Sequence, residues 1–92
     1  MTEPDFRLVL TPPARRGPDR LPAAAAAAVA EFLVGPLLSG PTKVGRQLRR
    51  ELAGLWSARR GPYRVGYEID DASHEVRVLR VDHRADVYRP RD

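Results

Sequence analysis

Cysteine is absent from this 92-residue chain. No disulfide staples the fold, and no thiolate is available as nucleophile or metal ligand. Histidine occurs only at positions 74 and 83, too few for a dedicated protein zinc site. Lysine is almost missing too, with Lys43 the single example. There is no long hydrophobic run: the alanine stretch at 23–28 is too short and too weakly apolar to cross a bilayer. The opening Met-Thr-Glu-Pro-Asp carries acids in place of a basic leader. No export signal is therefore expected, and the expected location is cytoplasmic, with no membrane partner.

What is present is one domain's worth of chain, 1–92, with enough apolar residues (42%) for a single modest core. The net charge is +4, and its distribution is uneven. Residues 1–42 hold four arginines and four acids; residues 43–92 hold twelve basic and eight acidic residues, so the whole excess lies in the second half. Fifteen of the sixteen basic residues are arginine. Arginine binds phosphate bidentately and stacks on bases, although GC-rich coding also favours it. A phosphate or RNA partner is therefore permitted, without being required.

Residues 6–11 read as a first strand. Thr11 before Pro12 and Pro13 is placed to cap a short helix, which Gly17 and Pro18 limit to about one turn. Leu21 and Pro22 start a longer helix in which Val29, Phe32 and Leu33 form one apolar stripe. Gly35 and Pro36 should bend or break it before Leu37 and Leu38. Residues 46–54 form a charged cluster, and 55–60 a strand ended by Gly61 and Pro62. From 63 to 69 the alternation is clean, with Tyr63, Val65, Tyr67 and Ile69 on one face and Arg64, Gly66 and Glu68 on the other. Asp70 and Asp71 begin a hairpin turn. Strict alternation over 76–84 puts Arg77, Leu79, Val81 and His83 on one face and Val76, Val78, Arg80, Asp82 and Arg84 on the other. The expected fold is α+β: a strand, two helices, then a three-stranded antiparallel meander, with the helices on one sheet face.

The stretches Gly54-Leu-Trp-Ser-Ala-Arg-Arg-Gly61, Tyr63-Arg-Val-Gly-Tyr67, Asp70-Asp71 and His83-Arg-Ala-Asp-Val-Tyr88, in that order, resemble the RelE/ParE toxin superfamily, and its RelE branch in particular. The resemblance covers essentially the whole chain. It implies a type II toxin, a ribosome-dependent endoribonuclease that cuts messenger RNA without metal or other cofactor. In that chemistry the ribose 2′-hydroxyl attacks the adjacent phosphate, leaving a 2′,3′-cyclic phosphate and a free 5′-hydroxyl. The implied partners are the ribosome, its message and a RelB-like antitoxin encoded next to the toxin.

By position, the resemblance makes Arg64 the phosphate clamp and Arg84 the arginine at the leaving oxygen. Arg59 becomes a stabiliser of transition-state charge and Tyr88 the stacking partner of the substrate base. A surface salt bridge to Glu68 or a neighbouring acid is the competing role for Arg64. His83 titrates near neutrality and is a candidate general acid or supporting residue, although alternation sets it opposite Arg84. Arg49, Arg50, Arg60 and Arg80 are expected to bind RNA. Relatives often carry lysine as general base where this chain has Ser57; Glu51 is an alternative base or a helix-end ion pair. Gly66 stands where a bulky apolar residue is preferred. Two further readings stay open: a ParE-like toxin that blocks DNA gyrase by binding alone, and a degenerate toxin that binds only its antitoxin.

Overall fold

The computed structural model describes residues 5–17, 21–49 and 53–83, with His83 described through its backbone. Five strands of these residues form one sheet: β1 (Arg7–Leu10), β2 (Gly45–Gln47), β3 (Trp56–Arg60), β4 (Tyr63–Asp70) and β5 (Glu75–His83). Their spatial order is β1-β5-β4-β3-β2. The β1–β5 pair is parallel and the other three are antiparallel. Between β1 and β2 lie α1 (Pro12–Arg16), α2 (Ala23–Val34) and α3 (Pro36–Ser39).

The helices form where alanine, a strong helix former, follows Pro22, and they break where Gly35 and Pro36 interrupt. Val29, Phe32 and Leu33 are buried, as their i, i+3, i+4 spacing predicts, and α3 adds Leu37 and Leu38. These residues and Ala14 of α1 pack on Ala58, Val65, Tyr67, Val76, Val78 and Val81 of the sheet. Each such large apolar side chain contributes about 1.5–3 kcal/mol on burial. The other sheet face is left uncovered by these helices.

Three local expectations are corrected. Residues 45–47, within and beside the charged cluster, form the edge strand β2, so four strands follow the helices where three were expected. Thr11 does not cap α1 with its side chain. Its hydroxyl instead lies 3.0 Å from the Val78 carbonyl oxygen and 3.2 Å from that of Leu79, where it donates to β5. Pro13 sits in the first turn without an N–H for a cap to satisfy, which leaves the hydroxyl available for this use.

The third correction concerns faces. Gly66 pairs with Arg80, but the next residue, Tyr67, pairs with Val78. Leu79 is therefore the extra residue of a β-bulge, and alternation changes phase across it. Val81 consequently joins Val76 and Val78 in the core rather than facing away from them.

Turns close the hairpins as expected. Gly61 has φ +59°, a left-handed conformation that glycine adopts without steric cost. In the β4–β5 turn, the Ser73 N–H donates to Asp70 Oδ1 at 3.1 Å and holds that carboxyl below its usual pKa.

Candidate functional site

The uncovered sheet face is built by residues whose strand neighbours point into the core. Ala58, Val65 and Tyr67 point inward, so Ser57, Arg59, Arg64, Gly66 and Glu68 lie on the opposite face, where Ser57 is buried and Arg59 exposed. Register then fixes who meets whom. Arg46 on β2, Ser57 on β3, Gly66 on β4 and Arg80 on β5 form one row across the sheet. Arg59, Arg64 and Asp82 form the next.

The two ends of this face differ in charge. Toward β1, acids and bases neutralise one another: Arg7 meets Glu75 at 2.8 Å, and Arg77 meets Glu68 at 3.2 Å and Glu75 at 3.9 Å. Toward β2, a cleft of about 290 Å³ is lined by Val44, Gly45, Arg46, Ser57, Arg59 and Arg64. Three arginines line it, and no carboxylate does so among the described residues. Such an arrangement favours a ligand carrying several negative oxygens, because each guanidinium offers a fork of donors that keeps its charge at any ordinary pH. Among the described residues, no group of three or more His, Cys, Asp and Glu is placed to hold a metal ion.

A buried bond sets the wall of the cleft. The Tyr67 hydroxyl donates to the Pro41 carbonyl oxygen at 2.7 Å from a fully buried ring. Burial pushes its pKa up to about 12. Gly45 passes so close that an added Cβ would lie 2.8 Å from the Ser57 carbonyl oxygen and overlap the Tyr67 hydroxyl. Only glycine lets β2 approach β3 here, and that approach carries Arg46 to the cleft.

The site residues expected from sequence divide accordingly. Arg59 and Arg64 come together as direct cross-strand partners, with Ser57 beside them. Of the neighbouring acids, Glu68 pairs with Arg77 at 3.2 Å and Asp82, which stands opposite Arg64 on β5, pairs with Arg80 at 2.5 Å. Arg80 shares the open face but carries this ion pair. Arg49 is exposed beyond the end of β2. Arg60 leaves the group: its guanidinium carbon sits 5.9 Å from the Phe32 ring centroid, on the helix side. The His83 backbone pairs with Tyr63. Arg50, Glu51, Arg84, Tyr88 and the His83 side chain lie outside the described residues. Arg46 was not among the expected site residues. Its only signal was the Gly45-Arg46 step, which acquires meaning once β2 is paired.

Residues 8–88 match the model of a family described as the ParE toxin of the type II toxin-antitoxin system parDE. The chain is 57% identical to the toxin RelG of Mycobacterium tuberculosis, over 91% of this chain and 97% of that protein. It is 46% identical to the toxin RelE of the same organism, over 91% and 87% respectively. Its structure superposes on a chain of the M. tuberculosis toxin-antitoxin complex RelBE2 with a TM-score of 0.84, at 51% identity and covering 87% of this chain and 99% of that one.

Proposed function

The chain belongs to the ParE toxin family of type II toxin–antitoxin systems and is a RelE-family toxin; from that premise we propose that it is an endoribonuclease that cleaves message on the ribosome and so inhibits translation. The observation that carries this reading is the cleft lined by Arg46, Arg59 and Arg64, with no acid among its described lining residues.

In this reading Arg64 grips the scissile phosphate from β4, and Arg59 faces it from β3. When the ribose 2′-hydroxyl attacks, the phosphate gains charge and passes through a dianionic transition state. Guanidiniums carried on neighbouring strands of the sheet stabilise that charge. Arginine does not release its proton, so the three contribute field and hydrogen bonds rather than acid–base exchange. Arg84 at the leaving oxygen and Tyr88 against the base complete the reading, with His83 as candidate proton donor. Base stacking is worth about 1–3 kcal/mol. The remaining partner is a RelB-like antitoxin encoded alongside, whose acidic and apolar surface complements the basic half of the chain.

A second reading has its own observation. Among the described residues, no histidine or carboxylate lines the cleft. A toxin that blocks DNA gyrase by binding needs no such group, and fold alone does not choose between the two.

The test is inducible expression with and without the antitoxin gene, followed by mapping of message 5′ ends. The nuclease reading expects sharp new ends at codon positions on translated messages, lost in Arg64→Ala. Growth arrest with intact messages and a DNA-damage response would select the gyrase reading. Absence of arrest by soluble protein would identify a toxin that only binds its antitoxin.

A further inference from the structure

We propose that Ser57 and Gly66 form the floor of a nucleobase subsite beside the arginine cleft, and that Gly66 is bare so that a flat ring can lie against β4. This rests on the RNA-cleaving reading and deepens it.

Glycine inside a strand weakens the strand, so its presence needs a cause. The backbone supplies none: the described glycines with positive φ are Gly54 and Gly61, and Gly66 is not among them. Packing supplies none either. A Cβ built on Gly66 would have Arg80 Cγ, at 3.5 Å, as its nearest neighbour, an ordinary van der Waals distance to a flexible side chain. Nor does the bulge require it, because the extra residue is Leu79 on β5 and not a residue of β4.

What distinguishes the position is its surroundings. Gly66 is the direct partner of Ser57, so the two smallest residues in this part of the face lie side by side, Ser57 buried beneath its longer neighbours and Gly66 half-buried. Arg46 and Arg80 extend the same row on either side, and Arg64 precedes Gly66 by two residues on β4. Long guanidinium side chains thus ring a floor with almost no side-chain bulk. Guanidinium planes stack on bases, and a base splayed from a single strand presents the flat ring that such a floor admits. Ser57 also lines the cleft, so a phosphate in the cleft and a base on this floor can belong to one nucleotide.

The test measures binding of purified toxin to ribosomes programmed with a message carrying 2′-deoxyribose in the decoding codon, which blocks cleavage. Gly66→Val should melt no lower than wild type, because a β-branched residue suits a strand, yet bind about tenfold more weakly. Gly66→Ala should fall between them and serves if the valine variant is destabilised. An abasic nucleotide at one codon position should weaken wild type by a similar factor and leave Gly66→Val little changed. Equal affinity of both variants and wild type, or equal abasic losses in all three, would overturn the subsite alone. Failure of wild type to bind programmed ribosomes would overturn the RNA reading and the subsite with it.

Discussion

Arg59 and Arg64 stand directly opposite each other on β3 and β4. Like charges in cross-strand register destabilise a sheet by an amount comparable to what a good pair contributes, roughly 0.2–1 kcal/mol. The acids that offset arginines on this face, Glu68, Glu75 and Asp82, are engaged with Arg77, Arg7 and Arg80. The pair sets two guanidinium side chains side by side across the strands, an arrangement that suits the anionic ligand proposed for this face.

Replacing either arginine should separate activity from stability. Arg64→Ala and Arg59→Ala are each expected to lower the cleavage rate on programmed ribosomes by about 10²–10³, the usual cost of removing a fixed transition-state donor. Thermal melting of Arg59→Ala, at the exposed member of the pair, should be unchanged or slightly higher. A variant that loses activity only in proportion to lost folded protein would show that the pair is structural.

Binding should depend steeply on salt. Each phosphate neutralised on single-stranded nucleic acid contributes about −0.7 to the slope of log affinity against log salt. The three cleft arginines should together contribute about −2, and Arg46→Ala should make the slope shallower by about 0.7. Titrations with message-bearing ribosomes at several salt concentrations measure this. An unchanged slope in Arg46→Ala would remove that residue from the phosphate site.

The parts of this fold that were legible from sequence are those whose pattern repeats within one element. Tyr63 to Ile69 alternates for seven residues with one face buried, and Val29, Phe32 and Leu33 mark one side of α2. What escaped depends on pairing. β2 is three residues long and has no pattern of its own; it is a strand because β3 lies beside it. Arg46 was missed for that reason. The bulge at Leu79 is likewise a property of two strands, and it moved Val81 to the core face. Arg59 was expected to stabilise transition-state charge and Arg60 to bind RNA, yet only the first lines the cleft, while the second lies over Phe32.

That difference is itself measurable. Arg60→Ala removes a cation–π contact and the packing of its stem over Phe32, and should cost about 0.5–1 kcal/mol of stability. Affinity for programmed ribosomes should stay within about twofold of wild type, since a change under ~0.4 kcal/mol is that small. Arg59→Ala should do the reverse. Urea unfolding and binding, run on both variants, form the comparison, and a tenfold affinity loss in Arg60→Ala would return that residue to the RNA surface.

The Tyr67 hydroxyl provides a pH signature of the fold behind the cleft. Tyr67→Phe keeps the ring but leaves the buried Pro41 carbonyl without this donor, a loss of about 1–3 kcal/mol near neutral pH. The phenol ionises near 10 in an exposed chain but is pushed up to about 12 in the fold. The folded state therefore holds its proton when the unfolded state has released it. The tyrosine's contribution is fully present below pH 10 and is lost as pH rises from about 10 through about 12. A shift of this size corresponds to roughly 2–3 kcal/mol. Urea midpoints of wild type and Tyr67→Phe should thus converge over that interval, because only wild type has this phenol to ionise. A constant difference between them up to pH 12 would show that the hydroxyl is not buried in the folded protein, and that the Pro41–Gly45 segment is held to the sheet by something else.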